Sequence, residues 1–411
     1  MSAPQRLGPS SENTRSAVFD MIRSSGSVSR IELAEMSGLT ATSITRIIKS
    51  LIEQRLVVET GFGDPTGGKR RSILEINPHA LFSVGVSLDE ARLTYVITDL
   101  GGSVVGHRSS EGVGAVTPAI VTERMADELL AFFADQKVAI ADIVGVGIAG
   151  AGLDLGAGAT GVSSTSTEWE SFPVDAALGA RLGLPVVRDN DAACAALGQF
   201  WAGRMSATED FATLYMSAGF GLGIMHGGSV IRGASSNVGE VGHMVIDVHG
   251  PQCWCGAHGC LEIIAGPRAI VARAMRSSSV AATLGISGDD GHLNQDFQAI
   301  ARAAMAGDAE CLALIDVSVQ AVATVVLSLT NLLDLGRLYL AGPGFEEAGP
   351  LYVAAIEDTV SRLARTRMIH RLEVGLADSG LDAAAVGAAS LALQYVLTPH
   401  SRPVARPSNL M

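Results

Sequence analysis

The stretch GEVGHMVIDVHGPQCWCGAHGCLE, residues 239–262, decides how the rest of this 411-residue chain is read. It holds three of the five cysteines, Cys253, Cys255 and Cys260, within eight residues, and His243 stands ten positions before the first of them. Zinc favours four nitrogen and sulfur ligands in a tetrahedron, and a Cys3His set closes that shell with no room left for water. The spacing predicts a structural zinc that stiffens a loop. The competing reading is a set of buried or disulfide-bonded thiols. An odd number cannot pair off, and Cys253 and Cys255 are too close for an easy bridge. His249 and His258 lie in the same stretch and remain alternative ligands. Glu240 and Glu262 bracket the cluster, and ionised carboxylates accept hydroxyl hydrogens, so a polyol is the ligand they imply.

Outward from this stretch, composition sets bounds. The chain is 48% hydrophobic, 5% aromatic and rich in glycine, which predicts a packed α/β protein of two or three domains. The apolar run 317–333 is broken by polar residues and is expected to be a buried core helix, with no membrane span. Cys194 and Cys311, outside the cluster, are expected to be buried thiols. No secretory leader pattern opens the sequence, so the cytoplasm is the expected compartment. The net charge is −13, unevenly spread: residues 1–76 carry ten Lys/Arg against eight Asp/Glu, and the remainder 19 against 34. A mildly basic unit on an acidic body fits one domain that meets phosphates and another that does not.

That basic unit has helical patterns over about 14–24, 29–36 and 41–54, with Ser29 as an N-cap and a turn at Ser37-Gly38-Leu39-Thr40. The third helix places Ile44, Ile47, Ile48, Leu51 and Ile52 on one stripe. Its other face offers Thr42, Ser43, Thr45, Arg46 and Lys49, hydroxyls and cations suited to base edges and phosphates. Strands at 56–60 and 72–76 flank a Gly/Pro loop that ends in Lys69, Arg70 and Arg71. These features predict a winged helix-turn-helix bound to double-stranded DNA, its basic wing on phosphates or in a minor groove. A plain three-helix packing module is the bland alternative.

Beyond residue 79 the pattern reads as two similar α/β halves. One opens with strands at 82–88 and 93–98, then a helix at 118–135 and a strand at 143–148. The other opens with strands at 211–216 and 222–226 around a glycine-rich turn at 217–223. The metal motif, the string NDAACAALG at 190–198 and the N-terminal unit together resemble the ROK family (repressor, open reading frame, kinase). The resemblance covers about 13–397 and implies an N-terminal winged helix-turn-helix followed by a two-lobed actin-like ATPase fold. It implies domains at 1–78 and 79–411, the latter with a small lobe of about 79–197 plus a C-terminal helix at about 384–398, and a large lobe of about 198–383. It also implies that Asn190, Asp191, Glu240, His243 and Glu262 line a sugar site, that Asp191 matches the general base of the family's kinases, and that His243, Cys253, Cys255 and Cys260 hold zinc.

Departures from the family pattern separate kinase from regulator. Kinases of the family carry Asp-x-Gly-Gly-Thr on the first strand turn, where backbone N–H groups cradle ATP. Here the matching stretch is Val86-Ser87-Leu88-Asp89-Glu90-Ala91-Arg92. Both glycines are gone, so the backbone cannot easily approach a phosphate. A like-charge pair at about 4 Å and an effective dielectric near 20 costs roughly 4 kcal/mol before screening. The second phosphate turn reads Ser217-Ala218-Gly219, and the adenine-side turn reads Ala341-Gly342-Pro343-Gly344, where proline removes a donor. Ala193 stands where relatives often carry asparagine. The expectation is a cytoplasmic transcriptional regulator of carbohydrate metabolism, a repressor with no enzymatic activity and no bound ATP. It would bind operator DNA as a homodimer or homotetramer and sense a sugar or sugar phosphate. A sugar kinase with a fused DNA-binding arm and a regulator that senses no sugar stay in view.

Overall fold

The computed structural model describes residues 11–62, 72–150, 169 and 172–397. It begins with α1 (Ser11–Ser25), β1 (Ser27–Ser29), α2 (Arg30–Ser37) and α3 (Ala41–Glu53). β2 (Val57–Phe62) and β3 (Ser72–Ile76) follow. At the start of α2 the Ser29 hydroxyl accepts from Glu32 N at 3.3 Å while the Glu32 carboxylate accepts from Ser29 N at 2.8 Å. This reciprocal capping box fixes where the helix begins. Gly38 ends it at φ 68, a left-handed conformation that a side chain would strain. The Ile44, Ile47, Ile48 and Leu51 stripe of α3 is buried, sharing a core with Val18, Ile22, Leu33 and Leu74. The sequence pattern missed β1, whose three residues are too few to show alternation. It pairs antiparallel with β3 and makes the sheet three-stranded, in the order β1-β3-β2. Lys69, Arg70 and Arg71 lie outside the described residues.

The body holds two five-stranded sheets. The first contains β4 (Phe82–Leu88), β5 (Arg92–Asp99), β6 (Val104–Glu111), β7 (Ile143–Gly150) and β8 (Val186–Asp189). The second contains β9 (Phe211–Met216), β10 (Phe220–His226), β11 (Ser229–Val230), β12 (Arg337–Ala341) and β13 (Glu373–Leu376). Their spatial orders are β6-β5-β4-β7-β8 and β11-β10-β9-β12-β13. Numbered within each sheet, both read 3-2-1-4-5: an antiparallel meander followed by two parallel strands. The same topology twice is the internal repeat that the two paired-strand openings imply.

Two helices, Asp191–Ala202 and Ala383–Leu397, lie against these sheets and against each other. Small residues make the approach possible. A Cβ on Gly387 would come within 1.6 Å of Cys194 O, and one on Gly223 within 2.2 Å of Ala192 O. This corrects the expected glycine turn at 217–223. Gly221 and Gly223 belong to β10, which starts at Phe220, and are glycines because a helix backbone rests on them. The turn itself is only Ser217-Ala218-Gly219. The expected helix at 317–333 starts earlier, at Ala309, where the Asp308 carboxylate caps it by accepting from Cys311 N at 2.8 Å. By length and composition this helix and Gly380–Leu397 are long and apolar enough to cross a membrane. In the fold both supply core: Ile315, Val319, Val322 and Val326 in one, Ala383 to Leu393 in the other. Cys194 and Cys311 are buried in these cores.

Candidate functional site

Asn190 and Asp191 stand where β8 hands over to the Asp191–Ala202 helix. Asn190 is the N-cap: its side-chain oxygen accepts from Ala192 N at 2.9 Å and Ala193 N at 3.3 Å. Asp191 is the first helical residue and not the cap. Its carboxylate accepts from the adjoining Ala192 N at 2.8 Å and from its own backbone N–H. The division leaves an amide donor on Asn190 beside a carboxylate acceptor on Asp191. Burial pushes the Asp191 carboxyl up to about 6, and negative charge on Glu240 and Asp89 adds to the shift. Glu240 is also raised, by burial and by Glu262, against the pull of His243. Asp191, Glu240, Glu262 and His243 therefore share one electrostatic neighbourhood.

The preceding residue, Asp189, is buried and gripped by Arg232 from the loop after β11, at 2.5 and 2.6 Å. This bidentate pair ties a loop of the second sheet to the last strand of the first, next to Asn190. Nothing in the spacing of the chain points to Arg232, which lies 43 residues from its partner. Asp189 was visible as the first acid of Asp-Asn-Asp but drew no role.

The metal motif folds into a knuckle. Met244 O accepts from Leu261 N, and isolated bridges join Val245 to Cys260 and Gln252 to His258. A Cβ on Gly259 would come within 1.6 Å of Asp247 O, so the crossing needs glycine. The result brings His243, Cys253, Cys255 and Cys260 together, with all four ligand atoms within 4.8 Å of one another. Cys253 Sγ lies 3.7 Å from His243 Nδ1, and Cys255 Sγ 3.6 Å from Cys260 Sγ. With Zn–S bonds of roughly 2.3 Å a tetrahedron has edges of about 3.8 Å, which these two separations match, and three thiols with one imidazole are a donor set that could hold a metal ion. His249 and His258 are outside this group. His258 instead faces Gly250 O at 3.3 Å.

Glu262, in the first turn of the helix Leu261–Ala265, sits between this knuckle and the β9–β10 turn. Its Oε1 accepts from Trp254 Nε1 at 3.0 Å. Its Oε2 lies where a Cβ on Gly219 would come within 2.4 Å, or one on Gly242 within 2.9 Å. Trp254 meets the His243 ring edge-on at 4.5 Å. A tryptophan between two cysteines of a polar loop, in a chain so poor in aromatics, was a signal the sequence reading passed over.

The first strand turn is filled from within. Asp89 Oδ1 accepts from Ala91 N at 3.0 Å, and burial raises its carboxyl against the pull of that N–H. Gly112, Val113 and Gly114 donate their N–H groups to Ala91, Asp89 and Glu90 carbonyls at 3.0 to 3.1 Å. Ser87, at the end of β4 beside this turn, pairs with the buried Tyr215 hydroxyl.

In the N-terminal unit, Thr42, Thr45, Arg46 and Lys49 are exposed and Ser43 is half-buried. Behind them, Arg23 of α1 is only 2% exposed. It donates to Phe200 O at 3.2 Å, Trp201 O at 3.5 Å and Met205 O at 2.8 Å. Its guanidinium also lies 4.6 Å from the Phe200 ring centre and 4.8 Å from that of Trp201. These carbonyls end the helix that Asn190 and Asp191 begin, and a cation there meets the negative end of the helix dipole.

Residues 84–395 match the ROK family profile, and the chain belongs to the ROK family. A putative xylose repressor of Caldicellulosiruptor sp. (strain Rt8B.4) is 29% identical over 274 residues, 66% of this chain and 66% of that protein. The chain thus spans just under two thirds of that relative's length. The DNA-binding transcriptional dual regulator NagC of Escherichia coli (strain K12) is 26% identical over 370 residues, 87% of this chain and 90% of that one. Among solved structures, a ROK family transcriptional regulator described as a homologue of the E. coli MLC protein superposes with a TM-score of 0.72 at 21% identity, covering 95% of this chain and 98% of that one. At that identity the likeness shows the fold alone. Glucokinases are also among the matches.

Proposed function

We propose that this chain is a cytoplasmic, zinc-holding transcriptional repressor of carbohydrate genes, with a winged helix-turn-helix on residues 1–78 and a sugar-sensing two-lobed body on residues 79–411. One observation carries the reading: the buried Arg23 fastens the N-terminal unit to the far end of the helix that starts at the sugar site. A ligand that prefers one placement of Asn190 and Asp191 then prefers one placement of α1, and only such a difference in affinity moves the equilibrium. Asn190 would donate to a sugar hydroxyl, while Asp191, Glu240 and Glu262 would accept from others. His243, Cys253, Cys255 and Cys260 would hold zinc, with His243 Nδ1 toward the metal and Nε2 left for the sugar. A zinc ion there supplies rigidity and no reaction step.

The kinase reading loses ground at the first strand turn, where Asp89 takes the Ala91 N–H that a phosphate would need. On the DNA side, α3 would enter the major groove with Thr42, Ser43, Thr45, Arg46 and Lys49, and the wing residues Lys69, Arg70 and Arg71 would grip phosphates. A dimer or tetramer would place paired reading helices about 34–36 Å apart or a multiple of that. The test is operator binding, on sites found by genomic footprinting, with and without a panel of pentoses, hexoses, N-acetylhexosamines and their phosphates. One sugar should change operator affinity, and Arg46→Ala should weaken binding by about 1–3 kcal/mol. Sustained ADP release from ATP and any of these sugars would instead restore the kinase.

A further inference from the structure

We infer that Trp254 is the specificity-determining residue of the sugar site, and that the site is shaped for a glycoside whose pyranose carries a second ring, sugar or aryl. The inference rests on the sugar-binding reading above and deepens it. Five groups, Asn190, Asp191, Glu240, His243 and Glu262, suffice to meet the hydroxyls of one pyranose. Trp254 touches two of the five, yet no hydroxyl partner is left for it to serve: its N–H is spent on Glu262 Oε1 at 3.0 Å. Its ring edge is set against His243 at 4.5 Å and 88°. Both contacts fix the indole plane, and Cys253 and Cys255 hold its backbone on either side. What remains is the apolar face of the indole, on a residue that is 42% exposed, whereas Trp169 and Trp201 are buried. A fixed, half-open indole beside a carbohydrate pocket is a stacking platform for whatever ring projects past the first sugar. The N–H contact has a second effect. With Oε1 occupied, Glu262 offers Oε2, on the side of Gly219 and Gly242, to the pyranose.

The experiment uses the zinc-loaded full-length protein and matched methyl and phenyl glycosides of glucose, xylose and N-acetylglucosamine, with calorimetry and tryptophan emission as readouts. For the sugar that binds, the phenyl glycoside is expected to bind about tenfold tighter than the methyl one, the size of one aromatic stack. Since Trp254 is the exposed indole, its emission should shift with the phenyl ligand. Trp254→Leu should bring the phenyl-to-methyl ratio to near one. Trp254→Phe keeps a ring but no N–H donor, so it should keep the preference while weakening both ligands. Zinc content and circular dichroism of each variant establish that the knuckle is intact. Equal affinity of the two glycosides, or a preference that survives Trp254→Leu, overturns the inference while leaving sugar sensing standing. Binding of free monosaccharides but of no glycoside does the same. Failure of every sugar and glycoside to bind overturns both.

Discussion

The β4–β5 turn and the β9–β10 turn occupy equivalent places in two sheets of identical topology, and they have been put to different uses. At the first, Asp89 bends back onto the Ala91 N–H and fills the space a phosphate would take. At the second, Gly219 stays bare, and the carboxylate that presses on it belongs to Glu262, a member of the proposed sugar site. One turn is closed by its own side chain, whereas the other serves as a floor for a neighbour. The fold repeat sets where both turns lie, and two or three side chains decide what each can bind. On the proposed function, the chain keeps the sugar half of a two-substrate cleft.

Two experiments break this comparison from opposite sides. Cys255→Ser removes a corner of the tetrahedron and so undoes the intact half. It should abolish stoichiometric zinc by elemental analysis, forfeiting a metal-binding free energy on the order of 10 kcal/mol, and the sugar response should disappear with it. Retained zinc and response would show that the four-ligand assignment is wrong. The double change Asp89→Gly with Glu90→Gly reopens the closed half. It removes the half-buried Asp89 carboxylate, worth roughly 4 kcal/mol against a phosphate before screening. Binding of a non-hydrolysable MgATP analogue, followed by calorimetry, should rise by up to about a thousandfold. No gain would place the obstacle elsewhere, at Ser87 or the proline of the adenine-side turn.

The contrast also marks what could be read from sequence. Ligand chemistry made the metal corner legible, because four soft ligands at fixed spacing have few other uses. Stripes made α3 legible, and the Ser29-x-x-Glu32 spacing marks where α2 begins. The short strand β1 was not legible, nor was the start of β10 at Phe220, because glycine signals a turn and a crowded strand equally well. Arg23 was beyond reach. Near the end of an amphipathic helix an arginine is ordinarily solvated, and its acceptors are backbone carbonyls about 180 residues away, which leave no trace in side-chain patterns. Arg232 and Asp189 form a similar long-range pair. Contacts between the closed turn, the sugar corner and the N-terminal unit are the part of function that sequence spacing does not encode.

Arg23 therefore gives the sharpest test of whether the kept half of the cleft communicates with DNA. Arg23→Ala deletes bonds to three carbonyls, two ring contacts and the ion pair to Asp20, although Phe200 O and Trp201 O keep the N–H groups of Met205 and Arg204. A loss of about 3 kcal/mol in urea unfolding is expected. Sugar binding by the body should survive, while operator affinity should cease to depend on sugar. If the sugar still shifts operator affinity in full, coupling runs by another route, such as the Ser16 hydroxyl bond to Leu397 O at 3.0 Å.

The smallest expected effect concerns the carboxylate that the two halves share. Asp191 is raised to about 6 by burial, with Asp89 of the closed turn and Glu240 of the open site adding to it. A folded-state value above the unfolded one means that the folded protein holds this proton more tightly. Ionising Asp191 thus costs stability. The cost is absent below about pH 4, grows between pH 4 and 6, and stays constant above that. Asp191→Asn should stabilise the sugar-free protein by up to about 3 kcal/mol at pH 7 and by little at pH 4, read from urea midpoints at the two values. It should also remove sugar binding, since the amide cannot replace an ionised acceptor. In the unaltered protein, sugar affinity should fall as pH drops through 6. Adding Asp89→Gly to the unaltered protein should move that midpoint toward lower pH, because one of the nearby negative charges is gone. An unmoved midpoint would mean that the closed turn no longer influences the sugar site, and that the two halves of the cleft titrate as strangers.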